Sequence, residues 1–297
     1  MFTWFLLAMG AAVFNSWEQV TQKLALLKTS YKKTTIIFAS TAATSAILFG
    51  LSFFTGIPYT DKQFWMAALT TGLLNALAYP LMLKAYQVGE FSSVYSMILL
   101  TPVFLIGTSF FTLGEKPTML GIIGIAITIA GVWLIMRHNH HDRKNIPNFT
   151  KGNILAILVA FIWSITSNFD KIAVLHSDRL FSSAVVFGII SGGQVVYLLT
   201  KGNISSEKNK EQKALPAGFA LGMFFIIGLG AIMAVQSYMQ NWAISIGPVT
   251  YTITLKRTGV LFGVLWGWLF FGEKMEYKKV LGVIIALGGV VAIIISH

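Results

Sequence analysis

The sequence predicts an all-α integral membrane protein whose ten transmembrane helices form two inverted five-helix repeats, and three observations carry that prediction. Hydrophobic residues fill 55% of the 297 positions against 11% charged ones, and the mean hydropathy is +0.72. A soluble core of this size could not hide so much apolar surface. Second, the apolar residues fall into ten runs, most of them near the length a helix needs to cross about 30 Å of hydrocarbon. Third, the chain repeats itself, because a shift of 158 lays 85–132 on 243–290 without a gap.

Taken in order, the first half gives runs at 2–22, 34–54, 64–88, 91–113 and 119–136. The first run lacks the basic lead-in of a signal peptide and pairs with a run in the second half, so it reads as a membrane helix. Between the halves lies the polar segment 137–151, with three histidines and Asp142 inside 138–142. That string invites a metal reading, yet nothing apolar adjoins it to exclude water, and a solvated connector accounts for it. The second half gives runs at 152–175, 181–200, 217–246, 249–271 and 280–295. The expected organisation is a first repeat over 1–136, a linker over 137–151 and a second repeat over 152–297.

Near the start of each half the repeat needs a shift of 148, which lays Ser16 on Ser164 and Lys23 on Lys171. The longer loop 201–215 explains the change of offset. Five helices per unit is an odd number, so the second unit enters the membrane the other way up. That is the plan of secondary transporters that hold substrate at the repeat interface near the midplane. Trp4, Trp65, Trp133 and Trp242 lie near run ends, as belt residues do.

Within the repeat, Leu-Gly-Glu-Lys at 113–116 precedes Gly124 and Gly131, and Phe-Gly-Glu-Lys at 271–274 precedes Gly282 and Gly289. Glycines seven apart return to one helix face and allow close packing. Glu115 and Glu273 are expected to stabilise helix starts. With these motifs the chain resembles the EamA branch of the drug/metabolite transporter superfamily over its full length. The resemblance implies a ten-helix transporter working by alternating access and says nothing about the solute.

The net charge of +11 would suit nucleic acid in a soluble protein, but Lys and Arg gather in short loops beside apolar runs, where they orient helices. No nucleic-acid partner is expected. Lys28, Lys32, Lys33, Arg137, Lys201 and Lys279 with their neighbours share one side, which by the positive-inside rule puts both termini outside. Family members are often drawn with both termini inside, so two orientations stand. Cysteine is absent, which removes disulfides and thiolate chemistry. No cofactor and no metal are expected.

Lys256 and Arg257 sit inside an otherwise apolar run, where each costs roughly 2.5–3.5 kcal/mol on insertion scales and so calls for a polar cavity. Their mates in the first half are Ile98 and Leu99. A residue pair charged in one half only is what a single asymmetric binding site requires. Thr252, Lys256, Gly259 and Gly263 recur at helical spacing and are expected to line that cavity together. Gln236 and Gln240, four apart, offer neutral donors and acceptors, and Asn168 is a further candidate. Glu18 and Asp170 are the candidate counter-charges or coupling groups.

The adjacent Lys-Arg pair in the ninth run also resembles the phosphate-binding pair of the sugar-phosphate translocators, although the lead-in Tyr251-Thr252-Ile253-Thr254 departs from theirs. A guanidinium fork suits phosphate or carboxylate. The leading expectation is therefore a secondary active transporter of a small organic anion, a phosphorylated compound or a zwitterion, in the plasma or inner membrane. A proton or a counter-substrate would be the coupling partner. The alternative is an exporter of amino acids or cationic compounds that relies on Glu18 and Asp170. A membrane-embedded enzyme is a distant third, because the runs contain no histidine.

Overall fold

The computed structural model describes residues 2–29, 31–113, 118–137, 150–200, 219–275 and 277–295. Ten spans appear among the described residues at the expected places: α1 (Phe2–Lys28), α2 (Lys33–Thr55), α3 (Lys62–Val88), α4 (91–113), α5 (Met119–Arg137), α6 (Lys151–Leu175), α7 (Arg179–Thr200), α8 (Phe219–Ile246), α9 (249–271) and α10 (Tyr277–Ile295). No strand occurs among the described residues. Six spans, α2, α3, α4, α6, α7 and α8, are each long and apolar enough on their own to cross a membrane. In α1 the residues Asn15, Glu18, Gln19, Gln22 and Lys23 dilute the apolar content. The histidine-rich segment and Glu115 lie outside the described residues.

The fourth and ninth spans, expected as continuous helices, are broken. α4 runs as α4a (Phe91–Ser96), a 3-10 turn (Met97–Leu100) and α4b (Thr101–Leu113); α9 runs as α9a (Val249–Arg257) and α9b (Val260–Phe271). In α9 the amides of Thr258 and Gly259 turn back to the carbonyls of Leu255 and Lys256 at 3.0 and 3.2 Å, a tightened turn in place of α-helical bonding. The Thr258 hydroxyl donates to the same Leu255 carbonyl at 2.7 Å and competes for it. The repeat places the two breaks at equivalent positions.

The most extensive helix contacts are α5 with α10, α3 with α6, α2 with α7 and α1 with α8. Each pair takes one helix from each half. Exchanging the halves turns α1–α8 into α6–α3 and leaves the other two pairs unchanged, so the inverted repeats interlock about a common axis.

The glycine stripes sit in the α5–α10 contact. A Cβ on Gly131 would lie 2.4 Å from the Ala286 amide nitrogen and 2.6 Å from the Gly282 carbonyl oxygen. One on Gly289 would lie 2.5 Å from the Thr128 nitrogen and 2.6 Å from the Gly124 oxygen. Because the obstacles are backbone atoms, no rotamer change relieves them.

Loop ends are secured by capping. Asp61 accepts from the Phe64 amide at 2.8 Å at the start of α3, Asp178 from the Leu180 amide at 2.8 Å at the start of α7, and Thr150 from the Asn153 amide at 3.2 Å at the start of α6. The His176 Nδ1 lies 2.7 Å from the Asp61 carboxylate and ties the α6–α7 loop to the α2–α3 loop. The Phe64 amide, and then His176, hold the Asp61 carboxyl below the usual carboxylate range.

Gly289→Ala should therefore destabilise the purified protein by about 1–3 kcal/mol, as overpacking does. Gly288→Ala, with nothing within 4 Å of the added carbon, should leave stability unchanged. Thermal unfolding of both variants in detergent checks the contrast.

Candidate functional site

The break in α9 leaves Lys256 and Arg257 in the last turn of a half-helix that ends inside the bundle. The free carbonyls at that end carry partial negative charge and favour cations. Both side chains are enclosed, with 9% and 3% of their surface exposed. Among the described residues, no carboxylate oxygen lies within 4.0 Å of either cation. They are not locked into ion pairs.

Neutral amides take that place. The Lys256 ammonium donates to Gln240 Oε1, which also accepts from Gln236 Nε2 at 3.0 Å. Gln240 Nε2 in turn reaches the Asp170 carboxylate at 3.5 Å, and Thr71 donates to that carboxylate at 2.9 Å. Arg257 lies over the ring of Trp163, 5.3 Å from its centroid, and the Trp163 indole N–H is fixed by the Asn75 side-chain oxygen at 3.0 Å. The Nε and Nη1 of Arg257 are buried and have no hydrogen-bond partner among the described residues.

Glu18 faces the same space from α1. Its carboxylate accepts from Gln22 Nε2 at 3.0 Å, with Asn15 and the Tyr79 hydroxyl each at 3.5 Å. Asn15 accepts from the Tyr95 hydroxyl at 3.2 Å, which connects the α1 stripe to the other broken span.

Glu18, Asp170, Gln236, Gln240, Lys256 and Arg257 thus line one cavity of about 80 Å³. It is smaller than the roughly 300–1,000 Å³ of ordinary ligand pockets. α1 and α3 line it near their middles, α7 with its first half and α8 with its second half, so the cavity spans the midplane and extends towards the α6–α7 loop end of the bundle. Its charged lining residues are two acids and two bases, and their formal charges cancel.

Two expected site residues lie elsewhere. The Thr252 hydroxyl donates to the Pro248 carbonyl at 2.9 Å and accepts from the Trp4 indole at 2.7 Å, so it faces the start of α1. Asn168 bonds Ser109 at 3.1 Å and Thr108 at 3.3 Å, and so faces α4b. The expected common face of Thr252, Lys256, Gly259 and Gly263 fails beyond Lys256 because the turn at 258–259 changes the helical phase, and fails at Thr252 because its hydroxyl is taken by Pro248 and Trp4. Gly259 instead packs against the Ala12 carbonyl, and Gly263 against the Tyr95 ring.

Asn15, Gln19, Asn75 and Trp163 line the cavity without having been singled out from the sequence. The spacing of Asn15, Glu18, Gln19 and Gln22 at three and four along α1 was the available signal for the first two. Trp163 offered none, since an aromatic residue in an apolar run is ordinarily core.

The comparisons with known proteins bear on this site only through the fold and the family. A curated relative from Listeria monocytogenes, "Putative sugar uptake protein lmo0169", is 26% identical over 273 residues, spanning 88% of this chain and 86% of the relative. A solved crystal structure superposes with a TM-score of 0.68 at 15% identity, over 97% of this chain and 95% of that one, and supports the fold alone. The profile of the EamA-like transporter family matches twice, over residues 2–137 and 150–295. With nearly the whole length covered by two matches in tandem, the chain belongs to the EamA-like transporter family.

Proposed function

We propose that the protein is a secondary transporter that takes a small polar solute without net charge, foremost a sugar, through the cavity between its two repeats. The observation that carries this reading is the balanced wall of that cavity. Glu18 and Asp170 offset Lys256 and Arg257, and Gln236 and Gln240 supply neutral donors and acceptors among them. A fully charged solute would unbalance such a site, whereas hydroxyl groups can both donate to the carboxylates and accept from the cations. The name of the Listeria relative agrees with this class. Family membership supports a transporter rather than an enzyme.

A second reading has its own observation. The unpartnered N–H groups of Arg257 favour an oxygen anion, as in a carboxylate, a phosphorylated compound or a zwitterion. In either reading Glu18 and Asp170 are the groups through which a proton or counter-substrate would couple, and alternating access proceeds by rocking of one repeat against the other.

Uptake into proteoliposomes should be measured for neutral monosaccharides, sugar phosphates, carboxylates and amino acids. Uptake of a neutral sugar is the expected result, and uptake confined to anions would select the second reading. Glu18→Gln, Asp170→Asn and Arg257→Gln should each lower uptake of the true solute at least about tenfold, since a hydrogen bond to a charged group contributes about 1.5–3 kcal/mol. Unchanged uptake in all three would exclude this cavity as the site. Trp163→Leu should raise the KM more than it lowers kcat, because it removes the platform beneath Arg257 and the hydrogen bond to Asn75 while leaving the four charged groups in place. Initial-rate measurements over a range of solute concentrations separate the two effects.

A further inference from the structure

We infer that the α3–α4 loop end of the bundle carries the closed gate of the transport path, with Glu273 as the group that holds it shut. This inference rests on the transporter reading above and adds where the path leaves the molecule. Beyond the central cavity, at the opposite end from the α6–α7 loop, lies a second crevice of about 520 Å³, lined by Lys23, Tyr86, Phe270 and Phe271 among others. Gln19 lines the central cavity and Tyr86 lines this crevice. The Tyr86 hydroxyl donates to Gln19 Oε1 at 2.7 Å, so one hydrogen bond spans the partition between the two spaces.

Beside that partition a charged network joins both repeats. Glu273, just past the end of α9b, accepts from the backbone amides of Phe91 and Ser92, the latter at 3.1 Å, and from the Ser92 hydroxyl. It thereby caps α4a, a half-helix of the other repeat. Lys23 of α1 stands 3.7 Å from the same carboxylate and 4.5 Å from the centre of the Phe271 ring. Lys279 at the start of α10 donates to Glu90 at 3.0 Å and to Ser92 at 2.7 Å, and approaches Glu273 to 4.0 Å. One carboxylate holds α1, α4a, α9b and α10 together.

In the repeat, Lys23 and Glu273 fall on Lys171 and Glu115, so that pair of charges belongs to both copies. The positions equivalent to Glu90 and Lys279 are Pro248 and Gly121, which carry no charge. The ion pair of Glu90 and Lys279, charges that one copy alone carries at these positions, is suited to bias which end is closed. Opening this end requires Lys23 and α4a to leave Glu273 and Tyr86 to leave Gln19, which would join the crevice to the central cavity.

The chain contains no cysteine, so a single thiol at Ser237→Cys, in the cavity wall, reports its accessibility without background. In proteoliposomes of known sidedness, a membrane-impermeant maleimide should label this thiol from the α6–α7 loop end. Adding Glu273→Gln or Lys23→Gln should raise labelling from the α3–α4 loop end about tenfold, the population shift expected when a charged hydrogen bond is lost. Tyr86→Phe, which removes one hydroxyl and leaves the fold intact, should shift labelling in the same direction. The gate is overturned if the Ser237→Cys thiol is already labelled equally from both ends, or if Tyr86→Phe and whichever of the other variants folds leave the labelled side unchanged. Labelling needs no solute. A failed shift with intact uptake removes the gate alone, and a clear shift without uptake of any solute removes the transport reading alone.

Discussion

A backbone that stops being helical inside hydrocarbon must satisfy its carbonyls and amides from within the protein. The rest of the structure depends on how α9 meets that constraint. Its first half ends among other helices rather than among lipids, and its last turn carries two cations whose charge suits the free carbonyls behind them. Once Lys256 and Arg257 are fixed there, the facing helices must be polar. Glu18, Asp170, Gln236 and Gln240 occupy the positions that face them. Had α9 continued as one helix, the same residues would have been an uncompensated burial of charge.

The equivalent break in α4 shows what the frame requires and what it leaves open. It has the same interruption, a 3-10 turn over Met97–Leu100, yet Ile98 and Leu99 are apolar and wholly enclosed. The break is thus a property of the repeat, and the charge a property of one copy. The same holds at the loop ends, where Glu90 and Lys279 form an ion pair on one side while their mates, Pro248 and Gly121, carry no charge.

Much of this was legible in the sequence, for reasons that can be named. Helix number follows from hydrocarbon thickness, and inversion from an odd count per unit, so both could be read from apolar runs and the 158-residue shift. Buried charges are rare enough that Glu18, Asp170, Lys256 and Arg257 stood out, and the cavity gathers all four. Thr252 and Asn168 were misplaced because a helical wheel cannot tell a hydroxyl or amide that serves a neighbouring helix from one that serves a solute, and Gly259 and Gly263 because it assumes an unbroken helix. Trp163 was invisible because only its partners, Arg257 and Asn75, distinguish it from any other core aromatic residue. Glu273 was legible as a helix-start residue, but its helix belongs to the other half of the chain, which no local pattern reveals.

That last contact bears on how such a chain could have arisen. The carboxylate of one unit satisfies the first amides of a helix in the other, and glycines pressed against backbone join α5 of one to α10 of the other. A lone five-helix unit would leave those amides unanswered and that glycine groove unfilled. It could find the missing partners only in a second copy of itself placed upside down. The geometry is that of an antiparallel dimer made permanent by a tether, free thereafter to let its two members take up different duties.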